Sequence, residues 1–349
     1  MTRHSNKLIG ARALALILMS GTAAIAGPSG TVAFLMPDQG STRYEQHDFP
    51  GFKAEMNKLC PGCKVLYQNA NGDVTQQQQQ FNSVISQGAK VIVLDPVDSM
   101  AAASLVHLAQ SQGVKVIAYD RPVPSTPADY YVSFDNEGIG KAIAESLVQY
   151  LKDTGVPPDK GGVLEVNGSP TDAAAGLIKK GCHAGLEGSG YKTLAEYDTP
   201  EWAPSKAQQW VSGQITRFGT QIVGVVAAND GTGGAAITAL KASGVNPVTG
   251  NDATLAGLQL IISGDQYNTI LKPSEIVAAE AAKVAVGFLS GQSPKAETTL
   301  FNTPSTLFKP AVITAKNLKA EVVDKGFESA KNLSTGRYAE GCKRLGITN

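Results

Sequence analysis

Short apolar runs recur along this chain with an amphipathic stretch between each consecutive pair, and that alternation narrows the possible folds more than any other feature. Val32–Met36, Val65–Tyr67, Val91–Leu94 and Val114–Tyr119 each read as a short apolar strand. The stretches between them carry apolar residues at helical spacing. Phe49, Phe52, Met56 and Leu59 mark one helix, Val74, Phe81, Val84 and Ile85 a second, and Leu105 and Leu108 a third, capped by Asp98 or Ser99. Strand–helix–strand repetition at this spacing implies parallel βαβ units, and so an α/β fold of parallel sheets flanked by helices. The run Gln76–Gln80 falls within the second helix and reads as a solvated face.

The pattern restarts after Phe134-Asp135-Asn136. A helix follows with Ile139, Ile143, Leu147 and Leu151 on one side, then strands at Val163–Val166, Thr193–Tyr197 and Ile222–Ala227. A short strand is expected near Val248, another at Gln266–Leu271, a helix over Ser274–Leu289, and a last extended run at Leu307–Ile313 before a polar tail. With 349 residues the chain exceeds what one core comfortably supports, so two domains are expected.

The first residues read differently. Arg3, Lys7 and Arg12 precede the apolar Leu14–Met19, and Ala24-Ile25-Ala26 fits a cleavage site, so residues 1–26 read as a secretory signal peptide with cleavage near Ala26. The expected location is therefore outside the cytoplasm, in the periplasm. Removing that segment takes away three basic residues and leaves 27 Lys and Arg against 30 Asp and Glu, a net charge of three negative. That balance argues against a nucleic-acid partner. An exported chain with an even cysteine count suggests disulfides. Cys60 and Cys63 are expected to form a local bridge rather than a redox pair, because they follow a helix C-terminus, where the dipole disfavours a thiolate. Cys182 and Cys342 are then expected to pair as the remainder.

Polar residues collect where the apolar runs end. The sharpest case is Asp120-Arg121 after Val116–Tyr119, two opposite charges at the point where a buried strand leaves its sheet. In open α/β sheets ligands bind beyond the carboxyl ends of the strands. An acceptor beside a forked donor suits the neighbouring hydroxyls of a polyol, although such a pair can also simply close a loop. The sequence contains no Walker A, no Rossmann fingerprint, no G-x-S-x-G and no H-E-x-x-H, so no enzymatic activity is expected. His47, His107 and His183 lack ligand spacing and are expected at the surface. No metal or cofactor is expected.

Six segments together carry a family resemblance: QNANGD (Gln68–Asp73), YDR (Tyr119–Arg121), SFDNE (Ser133–Glu137), NGSPTD (Asn167–Asp172), AND (Ala228–Asp230) and LKP (Leu271–Pro273). Over roughly residues 31–325 the chain resembles the periplasmic sugar-binding proteins of ABC importers. The resemblance implies two similar lobes, each a parallel sheet flanked by helices, joined by three hinge strands, with residues 30–134 plus 272–306 in one lobe and 135–271 plus 307–349 in the other. It implies a monosaccharide ligand, a pentose such as xylose or a related sugar, held in the cleft and delivered to an ABC permease with its cytoplasmic ATPase. A chemoreceptor or sensor kinase is a compatible further partner, and a monomer is expected. Carried over motif by motif, the sugar-binding residues are Arg43, Tyr44, Asp120, Arg121, Asp172, Trp202, Asn229, Asp252 and Lys272. Two departures stand out. Tyr44 replaces a tryptophan, and Ala173 and Ala174 replace two asparagines of the family's loop. Two other classes compete with this reading. An exported sugar-acting enzyme would need a catalytic constellation that the motifs do not supply, and a sugar-responsive regulator would need a helix-turn-helix where the signal peptide stands.

Overall fold

The computed structural model describes residues 1–2, 28–39, 43–241, 243–244 and 247–348; apart from its first two residues, the expected signal peptide lies outside them. The first lobe opens with β1 (Thr31–Met36), α1 (Phe49–Leu59), β2 (Lys64–Asn69), α2 (Val74–Ser86), β3 (Ala89–Leu94), α3 (Ala102–Ser111), β4 (Lys115–Tyr119) and β5 (Tyr130–Phe134). Except for the edge strand β2, these strands are buried on both faces, as parallel strands covered by helices must be. The chain then enters the second lobe through α4 (Asn136–Asp153), β6 (Gly162–Asn167), α5 (Ala173–Leu186), β7 (Lys192–Asp198), α6 (Pro204–Phe218), β8 (Ile222–Ala227), α7 (Asp230–Leu240) and α8 (Leu255–Ser263). It crosses back through β9 (Asn268–Leu271), adds α9 (Ser274–Leu289), β10 (Thr298–Leu300) and β11 (Thr303–Phe308) to the first lobe, and returns as β12 (Ala311–Thr314).

The strand orders locate the ligand crevice. The first sheet runs β10-β11-β5-β4-β3-β1-β2, parallel throughout except for β10. The second runs β7-β6-β8, all parallel, extended by an isolated bridge from Val225 to Val248, which replaces the short strand expected there. In each sheet the first strand, β1 or β6, lies between the next two, so each sheet reverses its winding there. That reversal opens a crevice at the carboxyl ends, and the two crevices face each other.

Several expectations need correction. The extended run Leu307–Ile313 is two strands: β11 continues beside β5 to Phe308, so the crossing falls two residues beyond the expected lobe limit. The C-terminal stretch is not a polar tail. Leu318, Val322, Leu333 and Ile347 are buried against Leu258 and Ile262 of α8. Gln77 is not solvated: it is 2% exposed, its Nε2 donates to Asp95 O (2.8 Å) and its Oε1 accepts from Val97 N (2.8 Å), which fixes the loop after β3.

Cys60 and Cys63 have their sulfurs at bonding distance, with Cα atoms 5.4 Å apart. The expected Cys182–Cys342 bridge does not form; both are free and fully buried. Cys182 packs in the core shared by α4 and α5, whereas Cys342 packs in the separate cluster around α8, so each serves as a small apolar residue.

Helices α4 and α5 meet through two glycines. A Cβ on Gly140 would sit 1.9 Å from Ile178 O, and one on Gly181 would sit 2.0 Å from Glu137 O. The α5 N-terminus carries the 167–173 loop into the crevice, so this close helix pair also positions part of the candidate site.

Candidate functional site

Strand ends from both lobes converge on one cleft with about 500 Å³ of empty space. All nine residues expected from the sequence line it: Arg43 and Tyr44 before α1, Asp120 and Arg121 after β4, Asp172 at the start of α5, Trp202 before α6, Asn229 after β8, Asp252 before α8, and Lys272 after β9. Asp38, Asn136, Ala174, Ile178 and Asn251 complete the wall.

The charges form a ring in which every cation is paired. Arg43 reaches Asp48 through Nη1 (3.0 Å) and Asp120 through Nη2. Arg121 binds Asp38 through Nη2 (2.8 Å) and Pro96 O through Nη1 (3.1 Å), while its Nε lies 3.3 Å from Asp172 and 3.6 Å from Asp95. Lys272 Nζ lies 3.5 Å from Asp120 and 3.3 Å from Asp252, over the Phe134 ring. Burial alone would raise the Asp120 pKa, but Arg43, Lys272 and Arg121 outweigh it and hold this carboxyl well below the usual range. Burial also works against the Arg121 charge, yet Tyr44 and the carboxylates of Asp172, Asp95 and Asp38 keep its pKa above the ordinary value.

Helix caps orient the second-lobe groups. Asp172 Oδ1 accepts from Ala174 N (2.8 Å) and Ala175 N (3.3 Å), and its Oδ2 accepts from the Trp202 indole (3.0 Å). Asn229 Oδ1 accepts from Thr232 N (2.8 Å), an N-cap that turns the Asn229 amide nitrogen away from the α7 backbone. Trp202 lies over Gly168, where a Cβ would sit 2.2 Å from the indole ring, so only glycine lets the ring lie this low. Behind the wall, Asp230 accepts from Gln266, Thr269 and Thr254, yet burial and the neighbouring Asp252 push its pKa up to about 7.

Three of the site residues have left-handed backbone: Asp120 (φ 56°), Trp202 (φ 54°) and Asp252 (φ 97°). For a non-glycine residue this is uncommon and costs about 1–3 kcal/mol in sparsely populated regions. The Asp120 turn is braced by Tyr131 Oη and Ser133 Oγ, both donating to Asp120 O at 2.7 and 2.8 Å. The SFDNE segment therefore has a second role, since Ser133 holds the strand end that carries the Asp–Arg pair.

The lobes touch across the cleft. Beyond the Arg121–Asp172 pair, Ser99 N donates to Thr171 O (3.0 Å) and Ala173 N donates to Ser99 Oγ (3.1 Å). Ser99 is therefore not the cap of α3. Asp98 is not the cap either: the N-cap of α3 is Ala101, with no side-chain capping bond, and Asp98 accepts from Met100 N and Ala101 N at 2.8 Å each in the turn before the helix.

Sequence reasoning missed Asp95, Asp48 and Asp38. Asp95 is fully buried, neither oxygen has a hydrogen-bond donor among the described residues, and burial raises its pKa against the pull of Arg121. Asp38 and Asp95 both follow apolar runs, so the rule that selected Asp120 would have found them. Asp48 lies at the start of a helix, where nothing in the sequence pointed inward.

With the geometry established, known proteins give the context. A model of the periplasmic binding protein domain matches residues 32–293. The chain is 35% identical over 283 residues to the D-xylose-binding periplasmic protein of Escherichia coli, covering 78% of this chain and 84% of that one. It is 27% identical to a multiple sugar-binding periplasmic protein of Azospirillum brasilense, covering 89% of this chain and 94% of the relative. Among solved structures, an ABC transporter solute-binding protein from Clostridium phytofermentans with bound β-D-glucose superposes with a TM-score of 0.77 at 26% identity, covering 87% of this chain and 99% of that one.

Proposed function

This chain belongs to the periplasmic binding protein family and is a sugar-binding protein of the ABC type, and from that premise we propose that it captures an aldopentose of the xylose kind, or a closely related sugar, between its two lobes. The observation that carries the proposal is the paired ring of charges. Arg43, Arg121 and Lys272 each lie against carboxylates, so among the described residues the cleft offers no spare cation to an anionic ligand. What remains is a set of fixed acceptors and donors, which suits the hydroxyls of a neutral sugar. Tyr44 and Trp202 supply flat apolar surfaces for the C–H faces of a pyranose. The D-xylose-binding relative supports a pentose, while the multiple sugar-binding relative and the glucose-bound structural neighbour keep related sugars within reach. Ala174, an apolar wall residue where the family pattern has an asparagine, removes one polar contact and bears on which sugar fits.

The proposal includes export to the periplasm through residues 1–26, action as a monomer, delivery to an ABC permease, and no turnover of the sugar. A role as carrier for a chemoreceptor would use the same closed form. A thermal-shift and calorimetric panel of pentoses, hexoses, sugar alcohols and sugar acids on the purified mature chain tests the reading. An aldopentose should give the largest stabilisation. A sugar acid binding more tightly than any neutral sugar, or no stabilisation by any sugar, would overturn it.

A further inference from the structure

We propose that Glu165, His183 and Glu196 form a binding site for a divalent transition cation of the zinc type, away from the sugar cleft, on the α5 side of the second sheet. Glu165 and Glu196 stand directly opposite each other on the adjacent parallel strands β6 and β7. Two carboxylates paired in this way repel unless a cation lies between them. His183 comes down from α5, its Nε2 2.9 Å from Glu196 Oε2 and 3.4 Å from Glu165 Oε2. All three ligand atoms lie within 4.8 Å of one another.

The other carboxylate oxygens are already committed, so Glu165 Oε2 faces the hydrogen-bonded pair of Glu196 Oε2 and His183 Nε2, a bond that a metal ion would replace. Glu165 Oε1 accepts from Thr193 Oγ1, and Glu196 Oε1 faces Lys179 Nζ at 3.2 Å, with Lys179 also held by Asp198 at 3.0 Å. Glu165 is fully buried, and its Oε2 has no hydrogen-bond partner among the described residues; it lies 3.4 Å from the His183 imidazole nitrogen. A buried carboxylate oxygen left in that state is costly, and a metal ion would satisfy it. Bonds of about 2.0–2.2 Å from zinc to nitrogen and oxygen place tetrahedral ligands about 3.2–3.6 Å apart; the 3.4 Å between His183 Nε2 and Glu165 Oε2 falls in that range, and the 2.9 Å hydrogen bond from His183 to Glu196 would open slightly to admit the ion. One imidazole and two single carboxylate oxygens favour zinc over calcium or magnesium, which want six or more oxygens. Half-exposed His183 leaves the fourth position open to water. None of the three residues lines the sugar cleft.

The bound ion would tie α5 to both strands and stabilise the lobe without touching the sugar. Metal-free mature protein titrated with zinc chloride by calorimetry should take up one equivalent, with a rise in melting temperature that calcium and magnesium do not produce. E165Q and H183Q should each weaken uptake at least about tenfold and leave sugar affinity unchanged. E196Q, on the exposed edge strand, gives the same readout should either of the others fail to fold. No zinc uptake, or uptake undiminished in these variants, would overturn the proposal.

Discussion

Arg121 illustrates how one side chain can hold a cleft together. Its guanidinium joins Asp38, Pro96 O, Asp172 and Asp95, groups from loops of both lobes. Arg43 joins two carboxylates within the first lobe. Both are 5% exposed, so enclosure does not rank them; the partners do. Arg121→Ala should remove the only ion-pair partner that Asp95 has among the described residues, in a fully buried position where a weakly compensated charge is expensive. Arg121→Ala and Arg43→Ala should each lower sugar affinity at least about tenfold, since charge-assisted hydrogen bonds contribute about 1.5–3 kcal/mol, with the loss larger for Arg121→Ala. Titration calorimetry of both folded variants checks this, and an unchanged affinity for Arg121→Ala would reduce the Asp120–Arg121 pair to loop closure. The Asp–Arg pair was legible because fixed charges broke an apolar run. The left-handed backbone at Asp120, Trp202 and Asp252 was not legible, since none of the three is glycine, and the bonds that brace Asp120 and Trp202 are tertiary.

Elements were easier to read than their contacts. Periodicity located most strands and helices of the two lobes, because a strand buried on two faces must be apolar throughout, but it did not find β5, β10 or α8. It could not show which helices touch. Gly140 and Gly181 look like weak points in two helices, yet they let α4 and α5 approach to backbone contact. Gly181→Ala gains helix propensity but drives a methyl group against Glu137 O and Lys141 N, both backbone atoms that move only with their helix. The expected net loss is about 1–3 kcal/mol, the usual cost of overpacking, read as a lower midpoint in urea unfolding. A stability equal to or above that of the parent chain would mean the helix pair adjusts without cost. The same blindness to packing explains Cys182, where an even count of cysteines predicted a bridge that the separation of two cores prevents. It also explains His183, whose partners Glu165 and Glu196 lie 18 residues before and 13 after it in sequence but beside it in space.

At the scale of the molecule, the two crevices become one site only when the lobes meet. Asp120, Arg43 and Tyr44 stand on one side, Asp172, Trp202 and Asn229 on the other, and neither set encloses a ligand alone. Three crossings, after Phe134, after Leu271 and after Phe308, are expected to limit any relative motion of the lobes to a hinge. Ligand then favours closure by the contacts it makes only in the closed form. The Ser99 bridge adds to that equilibrium from outside the cavity, because Ser99 does not line the cleft yet bonds to Thr171 and Ala173 of the opposite lobe. Ser99→Ala removes one of those two bonds, worth about 0.5–1.5 kcal/mol, from the closed state alone. Its sugar dissociation constant should rise about two- to tenfold, although no sugar-contacting group has changed. Small-angle scattering completes the test: the radius of gyration should fall on saturation with the sugar in both the parent chain and Ser99→Ala, with the variant needing more sugar to reach the same value. A radius that does not respond to sugar would mean a static cleft. Identical titration curves for the two proteins would mean that the bridge persists in the open form and does not bias closure.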